Sequence, residues 1–90
     1  MMYPFMTLND GTEIVHSDMD SSGRVKVYIE KADAKDCFHH VTCYLPEGVW
    51  KDNHGFTDDE LAYLRDVVDS TSNLILEFAA DGEFEHTAGF

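Results

Sequence analysis

The sequence predicts an α+β domain: a four-stranded antiparallel meander with one long C-terminal helix packed across one face. Apolar and polar residues alternate through the first half, most regularly in RVKVYIE, and the turn-like clusters NDG, DMDSSG and ADAKD separate four such runs. After residue 57 the apolar spacing changes from two to alternating threes and fours, the period of a helix. Ninety residues with 43% apolar content suit one domain with one modest core.

The first hairpin is set by MTLNDGTEIVH, where Asn9-Asp10-Gly11 fits a type I turn closed by a left-handed glycine. Such a loop pairs Leu8 with Thr12 and Met6 with Ile14. The third strand carries Val25, Val27 and Ile29 between Arg24, Lys26 and Tyr28, and the fourth is CFHHVTCYLP, closed by Pro46. A register opposing Ile29 to His39, Val27 to Val41 and Val25 to Cys43 brings the apolar sides together. One face then collects Met6, Leu8, Ile14, His16, Val25, Val27, Ile29, His39, Val41, Cys43 and Leu45.

Covering that face falls to TDDELAYLRDVVDSTSNLILEFAADG, with Leu61, Leu64, Val68, Thr71, Ile75 and Phe78 on one stripe. Thr57 and Glu60 form a capping box, Phe56 and Leu61 a hydrophobic staple, and Asp58 and Asp59 favour the positive end of the helix dipole. The sequence thus divides into a sheet over about 4–46, a loop over 47–56, a helix over about 58–80 and a fraying tail over 82–90, with Gly82 as the stop. Ser70-Thr71-Ser72-Asn73 are four poor helix formers in a row, the weak point of the helix, and whether it kinks or breaks there is left open by the sequence. Trp50, in the loop, is expected to fold over the core edge.

The stretch CFHHVTC crowds two thiols and two imidazoles into seven residues. Zinc requires its ligands within about 2.0 to 2.3 Å of the ion. A strand rising about 3.3 Å per residue holds Cys37 and Cys43 roughly 20 Å apart, so they share neither an ion nor a disulfide. Cys37, His39 and His16 remain as a minor metal alternative. The favoured reading makes Cys43 a core residue and His40 a solvent-side one, with no metal, no cofactor and no catalytic residue. Neither a nucleophile elbow nor a glycine-rich phosphate loop is present, and a non-enzyme is expected.

The formal charge is −12, which repels nucleic-acid phosphates and anionic membranes. Residues 46–90 hold eleven acids against Lys51 and Arg65, so the acid is concentrated on the helical half. Asp59, Asp66 and Asn73 fall seven apart, opposite the apolar stripe, with Asp69 and Glu77 beside them. This acidic side is expected to dock on a basic protein. The other sheet face would carry Phe5, Val15, Tyr28, Phe38 and Tyr44 among Arg24, Lys26, His40 and Thr42, an uncovered aromatic patch suited to a partner or a homodimer. The candidate partner-binding residues are therefore Asp59, Asp66, Asp69, Glu77, Tyr28, Phe38, His40 and Tyr44. No run reaches the roughly 20 apolar residues of a membrane span, and a cytoplasmic protein is expected.

The segments NDGTEIVHS, LPEGVW and GFTDDEL resemble small acidic proteins carried by bacterial mobile elements and phages. In size, acidity and lack of catalytic motifs the chain is similar to anti-CRISPR proteins. That resemblance implies an inhibitor of a basic nucleic-acid-binding protein, such as a CRISPR effector, and assigns no site residue.

Overall fold

In the computed structural model, the backbone is described for residues 2–33 and 37–88, and side chains for 2–32 and 38–80. Five strands, β1 (Met2–Thr7), β2 (Glu13–Ser17), β3 (Val25–Asp33), β4 (Cys37–Leu45) and β5 (Val49–His54), precede a helix, α1 (Asp58–Ala88). They form one antiparallel sheet in the order β1-β2-β3-β4-β5. The α+β class and the meander match the expectation; the strand count does not. The segment expected to be a loop folds back as β5. Gly48, at φ 75°, donates its N–H to the Tyr44 carbonyl at 2.8 Å, closing a tight turn. Val49 and Trp50, both good strand formers, then pair with Tyr44 and Cys43. Trp50 does pack against the core margin, as a strand residue.

The first turn forms as its sequence dictates. Gly11 adopts φ 89° and donates to the Leu8 carbonyl at 2.9 Å, while the Leu8 N–H reaches the Thr12 carbonyl at 2.8 Å. Asp20 organises the next connection, because its Oδ1 accepts from the N–H groups of Ser22 and Arg24, each at 2.9 Å, and from the Ser22 hydroxyl at 2.7 Å. These bonds to the ionised form hold the Asp20 carboxyl below its ordinary range.

Between β3 and β4 the register differs from the expected one by two residues. Ile29 faces Val41, Val27 faces Cys43 and Val25 faces Leu45, while His39 faces Lys31. A two-residue slip preserves the facing side of every residue, so the apolar set is unchanged. It also replaces the Ile29–His39 pair by one between two β-branched apolar residues, which buries no imidazole in the sheet centre.

Ile14, Val25, Val27, Ile29, Val41, Cys43 and Leu45 are buried beneath α1, where Leu64, Val68, Ile75 and Ala79 meet them. Phe5 departs from the expected outer face. The β1–β2 register shifts between Pro4 and Met6, which inserts Phe5 as an extra residue. Phe5 thereby turns toward the helix side and meets Phe78 at 6.0 Å between ring centroids. Phe78 itself lies at the margin of the apolar stripe, half exposed, and Ala79 takes the buried position.

The capping box forms in both directions: Thr57 N–H donates to Glu60 Oε1 at 2.9 Å, and Glu60 N–H to Thr57 Oγ1 at 3.2 Å. No break occurs at Ser70-Thr71-Ser72-Asn73. The Ser70 and Thr71 hydroxyls donate to the Val67 carbonyl at 3.0 and 2.7 Å, and Ser72 to the Asp69 carbonyl at 3.2 Å. Turned onto their own helix, these polar groups do not compete with it. The helix also runs through Gly82 to Ala88 rather than ending in a tail from 82. One glycine costs a helix about 1 kcal/mol, and no proline follows to enforce a stop.

Candidate functional site

The solvent side of α1 combines charge with apolar anchors. Asp59, Asp66 and Glu77 are exposed along it, and Asp69 is exposed further round the helix. Among them stand Tyr63, 57% exposed, and Leu74, 43% exposed. Eleven residues, close to three helical turns, separate these two, so they share a side. Sequence reasoning passed over both because it followed the buried stripe; the same period applied to the opposite side would have found them.

At the head of this surface a cleft of about 260 Å³ opens between the β1–β2 turn and the first turns of α1. Leu8, Phe56, Leu64 and Tyr63 supply its apolar walls, and Asp10, Asp59 and Glu60 its carboxylates. Lys31 spans two of these acids, with Nζ 3.4 Å from Asp10 Oδ2 and 3.9 Å from Glu60 Oε2. Asp10 also accepts from the Thr12 N–H at 3.0 Å. Hydrogen bonding from Thr12, with a smaller attraction from Lys31, holds the Asp10 carboxyl below its ordinary range. Fixed negative charge beside an apolar wall suits the stem and head of a lysine or arginine side chain.

The opposite surface is the open face of the sheet. Tyr44 lies between two cations, with the Arg24 guanidinium carbon 4.5 Å and Lys51 Nζ 5.8 Å from its ring centre. Arg24 Nε also lies 2.8 Å from Glu47 Oε2. Tyr28 stacks on His40 at 6.0 Å, and His40 on His54 at 5.3 Å. Phe38 is half exposed, whereas Thr42 is buried between its neighbours. The eight expected partner-binding residues thus divide between two opposite surfaces. Asp59, Asp66, Asp69 and Glu77 lie on the helix, and Tyr28, Phe38, His40 and Tyr44 on the outer face.

His16 and His39 do not meet. β3 lies between their strands, and His16 stands level with Val27 and Cys43, four residues along β4 from His39. Two strand spacings and four residues of rise separate them by roughly 16 Å. His16 is buried, with Nδ1 2.8 Å from the Ser17 carbonyl and its ring against Tyr3 and Phe5. His39 packs edge-on against Phe56 at 5.6 Å. The Cys37 side chain lies outside the described residues. Cys43 is fully buried, and desolvation, reinforced by Asp69, pushes its thiol up to about 11.

The fold is a five-stranded antiparallel sheet with one covering helix, and among the described residues no helix is long and apolar enough to cross a membrane. Compared with protein-family models, curated proteins and solved structures, the chain matches none.

Proposed function

We propose that the protein is a non-enzymatic docking module whose acidic helix side binds a basic, nucleic-acid-binding protein and inhibits it by covering the surface that nucleic acid uses. The observation that carries this reading is the cleft at the helix head, with its apolar walls and its carboxylates from Asp10, Asp59 and Glu60. A basic side chain of the partner inserts there, while Tyr63 and Leu74 supply apolar contact further along the helix. Apolar anchors within a charged rim are the usual energetic arrangement of a protein interface. A CRISPR effector, with its basic channel, is the kind of target that the chain's resemblance to anti-CRISPR proteins suggests. Cytoplasmic residence belongs to the same proposal.

Long-range attraction from the acidic side speeds encounter, and salt weakens it. The test captures a partner from the native cell and measures its association rate between low and moderate ionic strength. The proposal expects a rate that falls with salt, and a combined Asp59→Asn, Asp66→Asn, Glu77→Gln variant that binds more slowly. An on-rate indifferent to both changes removes the acidic side from the interaction. Tyr63→Ala tests the anchor separately, since it should raise the dissociation rate and leave association nearly unchanged.

A further inference from the structure

A second cleft, of about 210 Å³, opens on the helix side of β5, between that edge strand and the first turns of α1. Val41, Trp50 and Leu61 form its apolar walls, and Lys51, Asp52, Asn53 and Arg65 its polar rim. A strand irregularity builds the β5 side. The β4–β5 register shifts between His40 and Thr42, so Asp52 and Asn53 together oppose Val41. Asp52 takes φ 58° and is, among the described residues, the one non-glycine with positive φ. Bulges re-aim side chains next to functional sites, and strained backbone concentrates there. Asn53 is pinned in place, since its Nδ2 donates to the Phe56 carbonyl at 3.0 Å, which leaves its Oδ1 to accept.

The helix side supplies a cation. Residues 46–90 contain two bases, Lys51 and Arg65, and both line this cleft. Lys51 is drawn to the outer face, with Nζ 5.8 Å from the Tyr44 ring centre. Arg65 makes no ion pair among the described residues, although Asp69 stands four residues on, the spacing at which such pairs form along a helix. Its positive charge is felt by the Cys43 thiol, opposite Trp50 on the neighbouring strand, which places the guanidinium toward the sheet. Acceptors therefore stand on one rim and a guanidinium on the other, with indole and leucine between them.

We propose that this cleft binds a free apolar α-amino acid in its zwitterionic form. The Arg65 guanidinium takes the carboxylate, a match its planar fork makes with two parallel hydrogen bonds. The Asp52 carboxylate and Asn53 Oδ1 take the ammonium, and the ligand's side chain lies against Trp50 and Leu61. Long-range charge favours a zwitterion here. A simple anion is repelled by the net charge of −12, and a simple cation is drawn to the acidic side of α1, whereas a ligand without net charge meets neither field. The volume lies below the roughly 300 Å³ at which pockets for drug-sized ligands begin, which suits a single amino acid. This cleft shares no lining residue with the one at the helix head, so the proposal is independent of the docking reading.

Trp50 is the single tryptophan of the chain, so its emission reports occupancy directly. The experiment titrates L-leucine and L-phenylalanine into the full chain at neutral pH, following Trp50 fluorescence, with calorimetry for stoichiometry. The expected result is a saturable change at one ligand per chain, complete below about 10 mM. Two analogues, 3-phenylpropionate without the ammonium and phenethylamine without the carboxylate, should each bind at least about tenfold more weakly than L-phenylalanine. Arg65→Gln and Asp52→Asn should each weaken L-phenylalanine about tenfold. Asparagine tolerates the left-handed backbone at position 52, and circular dichroism checks that both variants fold. The analogue comparison uses the unaltered chain and stands whatever the variants do. No saturable change with either amino acid, an analogue that binds as tightly as L-phenylalanine, or affinity unchanged in either variant overturns the proposal.

Discussion

Along β3, Val25, Val27 and Ile29 are sealed beneath α1, while Lys26, Tyr28 and Glu30, the residues between them, face outward. The same contrast runs along β4, where Val41, Cys43 and Leu45 are buried and His40 and Tyr44 remain partly open. On the covered side of these two strands the buried residues are aliphatic apart from Cys43 and are joined by packing. The open face is aromatic and cationic, joined by ring stacking and cation–π contact. One backbone thus serves two chemistries, and the strand period of two keeps them apart. The covered face should determine whether the chain folds, and the open face what it touches.

Truncation on each side gives the largest expected difference. Ile75→Ala removes a fully buried side chain from the centre of the helix interface and should cost about 3 kcal/mol in urea denaturation. Phe38→Ala, at a half-exposed outer position, should cost less than about 0.5 kcal/mol. Equal losses would mean that the outer face is itself covered in solution. A sedimentation experiment would then show a dimer where the contrast expects a monomer.

Alkaline pH probes the covered face through Cys43. Its thiol rises from an ordinary value of 9.0 to about 11 on burial, so between these values the unfolded chain has released the proton and the native chain still holds it. Stability is therefore full below pH 9 and falls as pH rises toward 11, by roughly 2 to 3 kcal/mol from this group. Cys43→Ala should lack that part of the decline. In native protein carrying Cys37→Ser, a thiol reagent should reach Cys43 only as fast as the chain opens.

Gly55→Ala should cost about 2 kcal/mol. Gly55 has φ 96°, and a Cβ there would run into the His39 imidazole, which packs against Phe56 at the entry to α1. Calorimetric melting checks it, and His39→Ala in the same background should return part of the loss by opening space.

The covered face was largely legible in the sequence because burial leaves a strong period: Val25, Val27, Ile29, Leu64, Val68 and Ile75 could be placed from spacing alone. The two bulges left no such mark. One extra residue in β1 turns Phe5 inward and one in β5 turns His54 outward, and no side-chain pattern announces either irregularity. β5 is not legible in the sequence, because KDNHG hides the strand-forming pair Val49-Trp50. The acidic residues of the helix were legible from composition and period. The cleft was not, since it joins Asp10 to Asp59 and Glu60 across nearly fifty residues of chain.

The smallest effect belongs to the rim where the covered face meets that cleft. Asp10 is held in its ionised form chiefly by Thr12, so its contribution is present above the unfolded carboxylate value and is lost as pH falls through the lower native one. Asp10→Asn keeps an oxygen for the Thr12 N–H and removes the charge that meets Lys31. At pH 7 it should cost less than about 0.5 kcal/mol, as exposed ion pairs do. Asp10→Ala removes the turn-closing bond as well and should cost about 1 kcal/mol. If the two variants are equal at pH 7, charge rather than hydrogen bonding holds the turn against the helix. In that case wild type and Asp10→Asn should also converge on adding salt, whereas a turn held by the Thr12 bond leaves the gap between Asp10→Asn and Asp10→Ala unchanged by salt.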